Sequence, residues 1–118
     1  QAPSAINHDR KDKRNDVAHE ARLTPGGFLS MIIGGQNLGV NSTHHQAVAR
    51  VAPALSVTAW SDDGIVEGLE LRPDSADWLP FLLSVQFHPE RLMDRYAEHR
   101  AIFAEFTRAC ALNRKKNV

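Results

Sequence analysis

Phe81-Leu82-Leu83-Ser84-Val85-Gln86-Phe87-His88-Pro89-Glu90 is the stretch that decides the fold. Its first seven residues alternate little between apolar and polar, which predicts a strand buried on both faces of a partly parallel sheet. Pro89 ends that strand, because proline has no N–H for the ladder. His88 and Glu90 then fall at the strand's carboxyl end, where open α/β sheets place their ligands. They are two apart, so an extended backbone points both to the same side, and Pro89 stiffens the link between them. A carboxylate beside an imidazole fixes the ring's tautomer and stabilises the imidazolium. That is the base-and-orienter pair that a thiol nucleophile needs. Taken alone, His-Pro-Glu is a weak tripeptide and reads as a histidine that ends a strand without a role.

Working outward, the pattern gives strands at 17–23, 38–42, 55–60 and 65–70. Residues 55–60 alternate with period two, as a half-buried strand does. Ser61-Asp62-Asp63-Gly64 is a hairpin turn, with Asp-Gly supplying the positive φ. Pro25-Gly26-Gly27 opens a short helix at 28–33, and Gly34-Gly35 stops it. Residues 72–80 are a loop. A long helix is expected over 92–112, with Ile102, Phe103, Phe106, Ala109, Cys110 and Asn113 near one stripe. Arg114-Lys115-Lys116 forms a basic tail where cations suit the helix dipole. The order is α/β: a mixed sheet with a long C-terminal helix, and only about half of a complete domain. The run from His8 to Asp16 mixes charge signs and reads as a solvated surface loop, so 1–16 is taken as loop.

Composition narrows the class. The chain has 118 residues, 42% hydrophobic and 24% charged, which suits one soluble domain. Lys+Arg and Asp+Glu both number 14, and that balance argues against nucleic acid or a membrane surface as partner. No apolar run approaches the roughly 18 residues of a membrane span, and no leader is visible. Cytoplasm is the simplest compartment. One cysteine, Cys110, excludes an internal disulfide framework. Its place on the apolar stripe predicts a small core residue.

Context changes the reading of His-Pro-Glu. Val85-Gln86-Phe87-His88-Pro89-Glu90 resembles the VQ(W/F)HPE signature of class I glutamine amidotransferase-like domains. Val40-Asn41-Ser42-Thr43-His44-His45-Gln46-Ala47-Val48 resembles the VNSxHHQAV segment of the γ-glutamyl-γ-aminobutyrate hydrolase branch, peptidase family C26. The stretch from Ala59 to Glu70 is similar to that branch's A.A.DG.IEA.E, and Ala18-His19-Glu20 with Pro25-Gly26-Gly27 is similar to its HxV…PGS. The four segments keep the family's order across 17–110.

The resemblance implies a flavodoxin-like class I glutamine amidotransferase domain, of which these residues are the C-terminal part. It implies a Cys-His-Glu triad with His88 as general base and Glu90 as its partner, and no cofactor. It also implies a small γ-glutamyl substrate whose pocket is lined by Asn41, Ser42, His44, His45 and Gln46. The residue-level alternative is a capped strand end in which Asn41 and Ser42 satisfy local backbone. The family's Gly-x-Cys-x-Gly elbow is absent from the 118 residues. In the family the elbow precedes the segments matched here, so the resemblance implies a nucleophile on a preceding half, and this chain alone is expected to be inert. Oligomeric state is open, with a homodimer one option. Six histidines, including His44-His45 and the His88/Glu90 pair, raise the alternative of a zinc-binding module. Their spacing is not that of a closed zinc site and there is no cysteine pair, so no metal ligand is assigned. His19 reads as structural or surface.

Overall fold

The computed structural model describes residues 7–44 and 46–116. Five strands form one sheet in the order β2-β1-β3-β4-β5, with β1 at His19–Leu23, β2 at Asn37–Val40, β3 at Leu55–Ser61, β4 at Val66–Leu71 and β5 at Leu83–Val85. Helix α1 spans Phe28–Ile33 and α2 spans Ala97–Lys116. No described helix is long and apolar enough to cross a membrane.

Local chemistry explains most of these boundaries. Gly34 takes φ 79° at the end of α1, and its N–H donates to the Ser30 carbonyl, the left-handed stop that glycine permits without strain. Gly64 takes φ 85° at the β3–β4 turn. At its other end α1 meets a carboxylate: both oxygens of buried Glu70, on β4, lie 2.9 Å from the Phe28 N–H. A charged acceptor on an orphan helix donor contributes about 2 kcal/mol. Glu70→Ala is therefore expected to lower stability by about that amount, read as a shifted denaturation midpoint. An unchanged midpoint would mean that the carboxylate does not hold the helix.

The core is Ala21, Leu23, Leu29, Leu38, Val40, Ala59, Phe87 and Ile102, with Ile32, Ile33, Leu83 and Val85 packed around it. Period-two alternation puts Ala21 and Leu23 inward and Glu20 and Arg22 outward. Helices α1 and α2 pack on each other. The buried His99 side chain ties α2 to β2, its Nε2–H donating to the Gly39 carbonyl at 2.8 Å. Burial lowers the His99 pKa, against the opposing pull of that carbonyl and of Glu98.

Several expectations need correction. Every strand pairing among the described residues is antiparallel, and β5 pairs only β4 there. Of the apolar run at 81–87 only three residues are strand, with Ser84 exposed, and among the described residues that strand stands last in the sheet order. Helix α2 starts at Ala97 rather than Leu92. The 3-10 turn at Pro89–Arg91 and the fully buried Leu92 hold the preceding residues in turns. The stripe on α2 is buried only near its start, at His99 and Ile102, while Phe106 is 52% exposed. Cys110 is exposed, not a core residue. A 20-residue helix is about 30 Å long and carries its last turns beyond the sheet. The charged run at 8–16 is a solvated segment only in part. Lys11–Lys13 is an exposed 3-10 turn, but His8 is buried.

Candidate active site

His88 follows β5 and precedes the turn that Pro89 starts. Proline suits the first position of such a turn, where no N–H is needed. The turn, rather than an extended backbone, folds Glu90 back so that its Oε1 lies 2.7 Å from His88 Nδ1. With Nδ1–H donating to the carboxylate, Nε2 carries the lone pair. The His88 side chain is 39% exposed. This is the arrangement of a general base with its orienter.

The backbone beneath His88 is fixed by Asn41, the residue that follows β2. Asn41 is fully buried. Its Oδ1 accepts from the His88 N–H at 2.8 Å, and its Nδ2 donates to the His88 carbonyl at 3.0 Å and to the Arg14 carbonyl at 2.9 Å. One amide thus clamps both main-chain groups of His88 and ties them to the N-terminal segment.

The other residues of that segment are placed differently from one another. Ser42 is fully buried and its hydroxyl donates to the His8 carbonyl at 2.7 Å. Gln46 is exposed, and its carbonyl lies 2.9 Å from His44 Nδ1. His45 lies outside the described residues. His44 turns inward toward Glu67, 3.8 Å from its Oε1. Burial on its own lowers the His44 pKa, but the Glu67 carboxylate, the Gln46 carbonyl and Asp63 outweigh it and leave the group above its ordinary value. The structure therefore brings Asn41 to His88 and Glu90, while Ser42 and His44 face the N-terminal segment and β4.

A second cluster escaped the reading of the sequence. His8, His19 and His44 converge on Glu67, with Asp63 behind His8. The pattern carried one signal: His19 keeps the inward phase of Ala21 and Leu23. The rest depends on tertiary register. Gly68 pairs with Ala59 and Val66 pairs with Trp60, so Glu67 is an extra residue in β4, a bulge. Bulges re-aim side chains, and this one sits in the middle of the cluster.

Comparison with known proteins supplies the lineage. The Peptidase C26 profile matches residues 1–90. The chain is 39% identical over 94 residues to the γ-glutamyl-γ-aminobutyrate hydrolase PuuD of Escherichia coli K12, covering 79% of this chain and 35% of that protein. It is 38% identical over 103 residues to the protein NtpR of Enterococcus hirae, covering 86% and 41%. It is 34% identical over 109 residues to a putative glutamine amidotransferase, PB2B2.05, of Schizosaccharomyces pombe, covering 92% and 38%. The chain spans roughly two-fifths or less of the length of these relatives.

Proposed function

The chain belongs to the Peptidase C26 family of glutamine amidotransferase-like hydrolases, and from that premise we propose that the whole protein hydrolyses a γ-glutamyl amide, with His88 and Glu90 serving a cysteine nucleophile outside these 118 residues. The observation that carries this reading is the 2.7 Å contact between His88 Nδ1 and Glu90, which leaves Nε2 as a free base on a half-exposed ring. Cys110 is no substitute: it lies in the exposed last turns of α2.

The chemistry follows from the pair. His88 Nε2 takes the thiol proton, and Glu90 stabilises the imidazolium that forms. The thiolate adds to the γ-carbonyl carbon. Collapse of the adduct breaks the C–N bond, and His88 returns its proton to the departing amine. A γ-glutamyl thioester remains. His88 then removes a proton from water, which attacks the thioester and releases glutamate and the thiol. The γ-glutamyl-γ-aminobutyrate hydrolases among the relatives favour a γ-glutamyl amide of a small amino acid. A second reading, a glutaminase part that passes ammonia to a synthase, is supported by the S. pombe relative named a putative glutamine amidotransferase.

The test is to incubate the whole protein with γ-glutamyl-γ-aminobutyrate or with glutamine, in the presence of hydroxylamine. Glutamate and γ-glutamyl hydroxamate are expected, the second because hydroxylamine intercepts the thioester. The 118 residues alone should release neither. Turnover of glutamine only would favour the ammonia-transferring reading. Neither product from either amide would overturn the assignment.

A further inference from the structure

The buried cluster around Glu67 is a separate matter from His88. Four side chains meet there from four places in the chain: His8 from the N-terminal segment, His19 from the first position of β1, His44 from beyond β2, and Glu67 from the bulge in β4. All are enclosed, with side-chain exposures of 6%, 7%, 9% and 0%. Glu67 Oε1 lies 3.3 Å from His8 Nδ1, 3.6 Å from His19 Nε2 and 3.8 Å from His44 Nε2. None of these nitrogens, and neither oxygen of Glu67, has a hydrogen-bond partner among the described residues.

The outer nitrogens explain why the inner ones face each other bare. His8 Nε2 lies 2.9 Å from Asp63 Oδ2, His19 Nδ1 3.1 Å from the Glu20 carbonyl, and His44 Nδ1 2.9 Å from the Gln46 carbonyl. Each partner is an acceptor, so each holds the ring's N–H on the outer side. In a neutral ring so held the inner nitrogen is a lone pair, and all three inner nitrogens point at a carboxylate. Lone pairs and a buried anion do not attract one another. The arrangement calls for a positive centre between them.

We propose that His8, His19, His44 and Glu67 bind one divalent transition-metal ion, zinc being the first candidate. Ligands about 2.0–2.1 Å from a tetrahedral ion stand about 3.3–3.4 Å from one another. The separations from Glu67 are at that edge length or a few tenths of an ångström longer, and the ligand atoms of His8, His19 and Glu67 all lie within 4.8 Å of one another; His44 stands outside that group and is the fourth ligand that must move in. Three imidazoles and one carboxylate suit a borderline ion such as zinc, rather than magnesium or calcium, which prefer oxygen. Asp63 behind His8 is the outer carboxylate that orients a ligating histidine. Two carboxylates, Glu67 and Asp63, balance the charge of one divalent ion. With no open position shown to a reactant, the ion is structural. It fastens the N-terminal segment and the loop after β2 to the sheet, three residues from the Asn41 clamp on His88.

The whole protein, purified without chelator, is analysed by elemental mass spectrometry. The apoprotein, prepared by chelation, is then titrated with Zn2+ and with Co2+. The expected results are about one equivalent of a transition metal, tetrahedral d–d absorption with Co2+, and a Tm raised by several degrees on adding Zn2+. Asp63→Asn should weaken Zn2+ binding by about 10- to 100-fold, and Glu67→Gln and His8→Ala by more. Asp63→Asn, the mildest change, keeps the test decisive if the others fail to fold. His88→Ala should keep the metal. Less than about a tenth of an equivalent with no Co2+ absorption would overturn the site, leaving a histidine–carboxylate network held by protons. Binding unchanged in Asp63→Asn and Glu67→Gln would place the ion elsewhere and overturn it equally.

Discussion

His88→Ala in the whole protein should lower kcat/KM toward a γ-glutamyl amide by about 10⁴-fold, a loss of about 5.5 kcal/mol in transition-state stabilisation. The size follows from what the ring does twice. In the proposed mechanism it removes the thiol proton before attack and returns one to the leaving amine, and no other described side chain pairs with Glu90 to replace it. Glu90→Gln should cost less, about 10²- to 10⁴-fold, because an amide still accepts from Nδ1–H but no longer balances the imidazolium charge. The alkylation rate of the nucleophilic thiol by iodoacetamide offers an independent readout. It should fall in His88→Ala, since the thiolate fraction depends on the base. Steady-state rates within tenfold of the parent, with alkylation unchanged, would remove His88 from the mechanism.

What the sequence made legible and what it hid divide along a physical line. Elements with their own start and stop chemistry were readable. Helix α1 lies at the expected residues because Pro25-Gly26-Gly27 opens it and Gly34 closes it, and the Asp63-Gly64 turn joins β3 to β4 as expected. The adjacency of His88 and Glu90 was readable too, since they are two residues apart with a proline between them. Properties that depend on neighbours were not. Residues 81–87 look like strand throughout, yet among the described residues only Leu83–Val85 pairs, with β4, because apolar content does not say which strand comes alongside. Cys110 sits at helical spacing from Phe103 and Phe106, but the stripe is covered only where the sheet reaches it. The Glu67 cluster was hidden most deeply. Its members come from positions 8, 19, 44 and 67, and the carboxylate reaches the histidines from a bulge, a break in the period that strand patterns rely on.

Asn41, which the resemblance puts among pocket residues, also holds the backbone of His88. Asn41→Ala removes three hydrogen bonds and takes the side-chain partner from the His88 N–H and the Arg14 carbonyl, while the His88 carbonyl keeps the Arg91 N–H. The stability loss should be about 2–4 kcal/mol. A purely structural residue would do no more than that. A positioning residue also lets the imidazole wander, and a displacement of about 1 Å at a catalytic group costs about 10²-fold in rate. Asn41→Ala should therefore lower kcat by about 10²-fold with KM little changed, at temperatures where the variant is folded. Asn41→Asp should do no better. It keeps an acceptor for the His88 N–H but turns a carboxylate oxygen toward two carbonyls that had been accepting from Nδ2. Glu70→Ala is the control, because it loses comparable stability at α1, away from His88, and should leave kcat unchanged. If Asn41→Ala and Glu70→Ala lose stability alike and both keep the parent kcat, the amide is scaffolding and the orientation of His88 comes from Glu90 and the Pro89 turn alone.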